Sequence, residues 1–240
     1  MKLIWIIAKR ELITFFDSLI AYIMLVTFAG FSGFFTWLYG SDIFFVKQAS
    51  LQAFFGIAYW TLFFFIPALT MRLFAEENRS GTIELLLTRP VSDWQVVAGK
   101  FLSTLVLIFI ALALTLPYYI TVSKLGNVDH GAIILGYFGL LLMSSAYVGI
   151  GIFTSSISNN QIVGYLLALF IGIFFQIIFG ILSGSMSGWL GSIFGYLSMD
   201  GHFDSISRGV LDSRDLIYFL SITLLGLIGT EAILEKRRYA

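Results

Sequence analysis

The densest chemical pattern in the chain is Glu76-Glu77-x-x-x-Gly81-Thr82-x-Glu84-Leu85-Leu86-Leu87-x-x-Pro90-Val91. No base stands beside a nucleophile in it, so the chemistry on offer is recognition rather than bond breaking. Arg72 and Glu76 are four apart, an i,i+4 spacing that predicts a helix running on past the preceding apolar segment. Asn78-Arg79-Ser80-Gly81 ends that helix, with Gly81 supplying the permissive backbone. Thr82 can cap a new short helix carrying Glu84 and the three leucines, and Pro90 cannot continue it. Ser92-Asp-Trp-Gln95 has capping-box spacing and starts the next helix. A hydrophobic centre with a charged rim is how a docking surface is built. The same pattern also fits a solvated turn whose leucines rest on a membrane interface.

Other residue types that could carry chemistry are scattered. His130 and His202 lie far apart, each in a loop between apolar segments, and no His-Glu-x-x-His exists. Ser183, Ser185, Ser187 and Ser198 have no base at motif spacing, so an intramembrane hydrolase is disfavoured and each histidine reads as solvated. The chain has no cysteine, which excludes disulfides and thiolate metal sites. No Gly-x-x-x-x-Gly-Lys-Ser/Thr loop is present, so ATP chemistry must come from a partner. The chain itself is expected to bind no cofactor.

The elements that position these residues are membrane spans. Of 240 residues, 58% are hydrophobic and 12% charged, and the mean hydropathy is +0.93. A soluble domain carries about 25% charged residues and could not hide so much apolar surface without aggregating. Six windows are long and apolar enough to cross a bilayer, at residues 19–39, 51–71, 101–122, 132–153, 162–182 and 216–234. The first five hold no charged residue, and Glu231 stands alone near the end of the sixth. No linker separates a second domain, so residues 1–240 read as a single all-α polytopic membrane domain. Ion-coupled carriers place ionisable groups near the midplane; spans without any argue against a carrier. Net charge is zero, with no field to attract nucleic acid.

Orientation follows from loop charge. Lys2, Lys9, Arg10, Arg72, Arg79, Arg89, Lys100, Lys236, Arg237 and Arg238 fall in one set of loops, against Lys47, Lys124, Arg208 and Arg214 in the other. The positive-inside rule puts the richer set, with both termini, in the cytoplasm. Residues 1–18 have no cleavage pattern of a secretory signal. At helical spacing Ile4, Trp5, Ala8, Leu12, Phe15 and Phe16 share one face, and Lys2, Lys9, Arg10, Glu11 and Asp17 the other. That predicts an amphipathic helix in the headgroup region, with Lys9 and Arg10 toward anionic lipid or a partner.

Residues 183–215 form the longest outer segment. Trp189, Leu190, Ile193, Phe194 and Leu197 follow helical spacing, as do Phe203, Ile206, Val210 and Leu211. Two short amphipathic helices split around Met199-Asp-Gly201 would re-enter the membrane and return, which requires protein or a watery cavity beside them.

The pattern from Glu76 to Val91 resembles the first cytoplasmic loop of ABC-2 type permeases, the membrane subunits of a class of ATP-driven transporters. The six spans, inward termini, leading amphipathic helix and re-entrant outer elements resemble that family over essentially the whole chain. The resemblance implies that the loop at 72–100 carries a coupling helix seated in a separate ATPase, which binds ATP and Mg. Glu76, Glu77, Gly81, Thr82, Glu84, Leu85, Leu86, Leu87 and Pro90 would form that interface, braced by Lys9 and Arg10. It also implies a second copy or a related membrane subunit, in the cytoplasmic (inner) membrane of a bacterium. The run from His202 through Phe203, Ile206, Arg208 and Gly209 to Tyr218 resembles more narrowly the gliding-motility permeases of GldF type, with NosY-type permeases as relatives. A secondary carrier and a non-transporting scaffold that docks an ATPase stand as the alternatives.

Overall fold

The computed structural model describes residues 2–39, 49–82 and 91–238. Glu84, Leu85, Leu86, Leu87 and Pro90 lie outside the described residues. Among those described, every regular element is a helix.

The N-terminal helix α1 (Lys2–Asp17) precedes span one, α2 (Leu19–Trp37). Span two is α3 (Gln52–Thr70), and after a turn at Met71 it continues as α4 (Arg72–Ser80) beyond the apolar stretch. Span three is α5 (Asp93–Ala113) and α6 (Leu116–Leu125), broken where Pro117 occupies the first turn of α6. Span four is α7 (His130–Ile157). Span five joins α8 (Gln161–Ile173), a π-helical segment (Phe174–Ile178) and α9 (Phe179–Ser185). Between spans five and six stand α10 (Trp189–Leu197) and α11 (Met199–Ser207), and span six is α12 (Ser213–Arg238). Among the described residues, six helical stretches are long and apolar enough to cross a membrane, as the hydropathy windows predict.

Local chemistry sets the helix starts. Ser92 and Gln95 form the predicted capping box, each side chain bonded to the other's backbone N–H at 3.3 Å. Asp129 accepts from the Ala132 N–H at 3.1 Å and Asn160 from the Ile162 N–H at 2.9 Å, opening spans four and five.

Span four is the hub, touching α3, α4, α5, α8, α11 and α12. Inside a bilayer, helices associate through close van der Waals contact, so small residues mark the tightest crossings. A Cβ on Gly226 of span six would lie 2.4 Å from the Gly149 carbonyl carbon of span four. Two glycine backbones therefore touch there. Spans two, three and four bury 56%, 56% and 67% of their most apolar stretch, whereas spans one and five bury 28% and 17%. The faces left open belong to the first and fifth spans.

Candidate functional site: the basic end

The N-terminal helix, α4, the start of α5, the turn after α7 and the C-terminus of α12 meet at one end of the bundle. Both terminal helices thus share the end that carries most of the Lys and Arg residues.

Helix α1 lies along α5. Their approach is set by Gly99, where a Cβ would stand 2.6 Å from Ile7 Cγ2 and 3.2 Å from the Ile4 carbonyl oxygen. Ala8 and Phe15 are buried on this contact, while Trp5 is 56% exposed. Glu11 turns inward with them, its side chain 12% exposed. This corrects the predicted division of the helix at Glu11, which the helical spacing puts on the polar face. The reason is the next residue on α5. Lys100 is 1% exposed, and a buried ammonium must be paired. Its Nζ donates to Glu77 Oε1 at 2.7 Å and to the Leu73 carbonyl at 2.7 Å, and stands 3.6 Å from Glu11 Oε1. The Phe74 ring adds a cation–π contact at 5.0 Å. One lysine thereby ties α1, α4 and α5.

Helix α4 is anchored at both ends. Ser155 Oγ of span four accepts from the Phe74 and Ala75 N–H groups at 3.1 Å and donates to the Met71 carbonyl at 2.8 Å. Asn78 donates to the Ser156 and Ser158 carbonyls at 3.1 and 2.9 Å. Arg237 of span six joins them, bonding Asn78 and the Ser156 carbonyl. Arg238 pairs with Asp93 at 2.6 Å. The predicted Arg72–Glu76 pair does not form. Arg72 instead donates to Ser18, just past α1, at 3.2 Å and stacks over Phe15 of α1 at 5.4 Å.

The structure separates the predicted interface residues by role. Glu77 is inside the lysine node, with Oε2 buried and without a hydrogen-bond partner. Glu76, Gly81 and Thr82 are exposed. Gly81 ends α4 in the left-handed region at φ +71, as its position in the pattern predicts. Thr82 contacts Ser80 Oγ at 2.9 Å. Lys9 is exposed, and Arg10, also exposed, pairs with Glu11 at 2.7 Å. Between α1, α4 and α5 lies a cleft of about 570 Å3 lined by Arg10, Asp17, Arg72, Glu76, Glu77 and Lys100. The sequence reading missed Lys100 as an organising residue. The available signal was a cation placed at the mouth of an uncharged apolar run, with two carboxylates outside the runs to pair it.

At the opposite end, the split between α10 and α11 falls at Ser198, so Met199, Asp200 and Gly201 form the first turn of α11. Val210 and Leu211 lie past that helix and are exposed at 58% and 49%. Their register breaks because Gly209 turns the chain at φ +92 against Ala132. Phe203 stacks on Tyr59 of span two at 4.5 Å, and Ile206 packs over Gly139 of span four. Arg208 pairs with Asp204 one turn back. His130, the first residue of span four, meets the Tyr119 hydroxyl at 2.8 Å. His202 is not solvated as its loop position predicts: it is buried against Asp215 at 2.6 Å.

A family model described as ABC-2 family transporter protein matches residues 41–230, from before span two to within span six. No curated protein matches the chain.

Proposed function

Because this chain belongs to the ABC-2 transporter family of membrane permeases, we propose that its basic end is the seat of a separate ATPase and that spans two and three are the levers it moves. The observation that carries this reading is the Lys100 node. A loop joined to its spans by flexible chain would dissipate a push. Here the helix leading into the loop, α4, is bonded to α1 and α5 through Lys100 and to spans four and six through Asn78 and Arg237. Exposed Glu76, Gly81 and Thr82, followed in sequence by Glu84, Leu85, Leu86, Leu87 and Pro90, would form the contact. Lys9 and Arg10 would brace it at the membrane, and ATP and Mg would reside on the partner. Both termini would then be cytoplasmic, in the inner membrane.

A second copy, or a related subunit, would cover the open faces of spans one and five. An apolar groove of about 440 Å3 between spans one and two, with Phe31, Phe35, Trp60 and Phe64 among its walls, suits an amphipathic or lipid-like solute. The resemblance of residues 202–218 to gliding-motility permeases supports placing the complex in a motility machinery, with an auxiliary membrane subunit.

The test is affinity purification of the native chain in mild detergent beside Glu84→Arg. The reading expects an ABC ATPase to copurify with the native chain, and the variant to lose both its binding and its stimulation. Full binding and stimulation by the variant would sink the docking role. An ATPase that binds and responds to no solute would favour the scaffold alternative.

A further inference from the structure

The far end holds a buried pair that neither the family match nor the docking reading uses. His202 of α11 and Asp215 of span six are 9% and 5% exposed. The ring stacks on Tyr218 at 4.1 Å, with Tyr196 edge-on at 5.3 Å. Nδ1 meets Asp215 Oδ1 at 2.6 Å and Nε2 meets the Tyr196 carbonyl at 2.8 Å.

A carbonyl oxygen only accepts, so Nε2 must carry a hydrogen. The contact between Nδ1 and Oδ1 needs a second hydrogen between them. The arrangement is therefore complete only when ring and carboxylate together hold two protons. Remove one, and either the carbonyl or the carboxylate loses its donor. Asp215 has no reserve, because its Oδ2 is already buried without a partner, and a bare buried carboxylate is costly.

We infer that His202 and Asp215 form a proton-dependent latch that fastens the re-entrant helix α11 to span six, with His202 as its positioning residue. Both ring nitrogens are bonded on the acid side, and as pH rises the latch loosens by one of its two hydrogen bonds. The other titratable groups around it do not supply a substitute donor cation. Tyr196 faces the ring from α10 and Tyr218 from span six; Tyr59 and Tyr147, from spans two and four, lie within electrostatic reach of Asp200. Asp200 and Asp204 are on α11 itself, where partial burial and the neighbouring Asp204 carboxylate push the Asp200 carboxyl above its usual range. Arg208 is paired with Asp204.

Asp215→Asn discriminates this latch from a merely structural contact. An asparagine amide can donate to a bare Nδ1 while Nε2–H keeps the carbonyl, so a singly protonated ring then suffices. It can also flip to accept from a protonated Nδ1. The variant is expected to stay latched at every pH.

The chain has two histidines, so 15N-histidine labelling of the full chain in lipid nanodiscs, with His130→Gln for assignment, reads the His202 ring alone. Amide exchange over residues 199–207, corrected for intrinsic rates, reads the latch. As the pH is raised, the native chain should lose the second ring proton and its protection together. Protection should fall by about tenfold, the size of one charge-assisted hydrogen bond. Protection that ignores pH in the native chain, or an Asp215→Asn variant that loses it alongside the native chain, would overturn the latch. Its bearing on solute passage rests on the permease reading, but neither readout needs an ATPase, so each fails independently of the other.

Discussion

The two ends of the bundle use charge differently. At the basic end, charged side chains join elements distant in sequence: Lys100 pairs with Glu77 and Glu11, Arg238 pairs with Asp93, and Arg237 hydrogen-bonds Asn78. At the far end the Arg208–Asp204 pair and the Asp129 cap stay within one turn of their own helix, and His202–Asp215 alone among the described ion pairs ties two helices there. The basic end is cross-linked by several charged side chains, whereas the far end has one inter-helix ion pair among the described residues and leans on packing such as Phe203 on Tyr59 and Ile206 over Gly139.

The strongest way to break the contrast is to remove its centre. Lys100→Ala leaves Glu77 and Glu11 beside a buried void, and stripping one partner from a buried ion pair costs about 3–5 kcal/mol. We expect thermal unfolding in detergent to drop sharply, with new protease cutting in α4. Replacing both partners, as Lys100→Met with Glu77→Gln, should recover most of that loss, because the uncompensated charge is gone. Recovery of stability without recovery of ATPase stimulation would show that the node transmits as well as holds.

Next in size is the span four–span six crossing, which both ends share. Gly226→Ala drives a methyl into the Gly149 backbone, which has no side chain to swing aside. Overpacking of this kind costs roughly 1–3 kcal/mol. A uniform loss of stability at both ends is expected, measured by hydrogen exchange over α4 and α11 alike. A loss confined to one end would mean that span six is not a common strut.

How far these features could be read in advance depends on the range of the interaction. Spans, caps and breaks are local, and the Ser92–Gln95 box, the Gly81 terminus and the six apolar windows all stand where the residue pattern puts them. What sequence could not give is partnership between distant residues. Glu76 and Glu77 are adjacent and alike in composition, yet one is exposed and the other fixes a lysine. Glu11 turns inward because α1 answers to Lys100 on α5 as well as to its own amphipathic pattern. His202 looks solvated until span six brings Asp215 beneath it. The separation of 13 residues across a turn carries no periodic signal.

A smaller effect sharpens the basic end. The Arg238 side chain is 33% exposed and that of Asp93 10%, so their pair lies between surface and core. Arg238→Ala should cost on the order of 1 kcal/mol, seen as early fraying of the span six C-terminus in hydrogen exchange. Span three should keep its start, since the Ser92–Gln95 box caps it independently. Fraying of both helices together would place the pair inside the Lys100 block.

The smallest effect is expected at Arg208, and its smallness is the point. The side chains of Arg208 and Asp204 are 68% and 48% exposed, and exposed pairs at this spacing are worth about 0.3–0.5 kcal/mol. Arg208→Gln should therefore leave the melting temperature within measurement error and leave the His202 ring and the protection of residues 199–207 as they were. Those residues are held from below, by Phe203 on Tyr59, Ile206 over Gly139 and His202 on Asp215, none of which the guanidinium touches. A marked loss of protection in this variant would mean that surface charge fastens α11, and the two ends would then differ in degree rather than in kind.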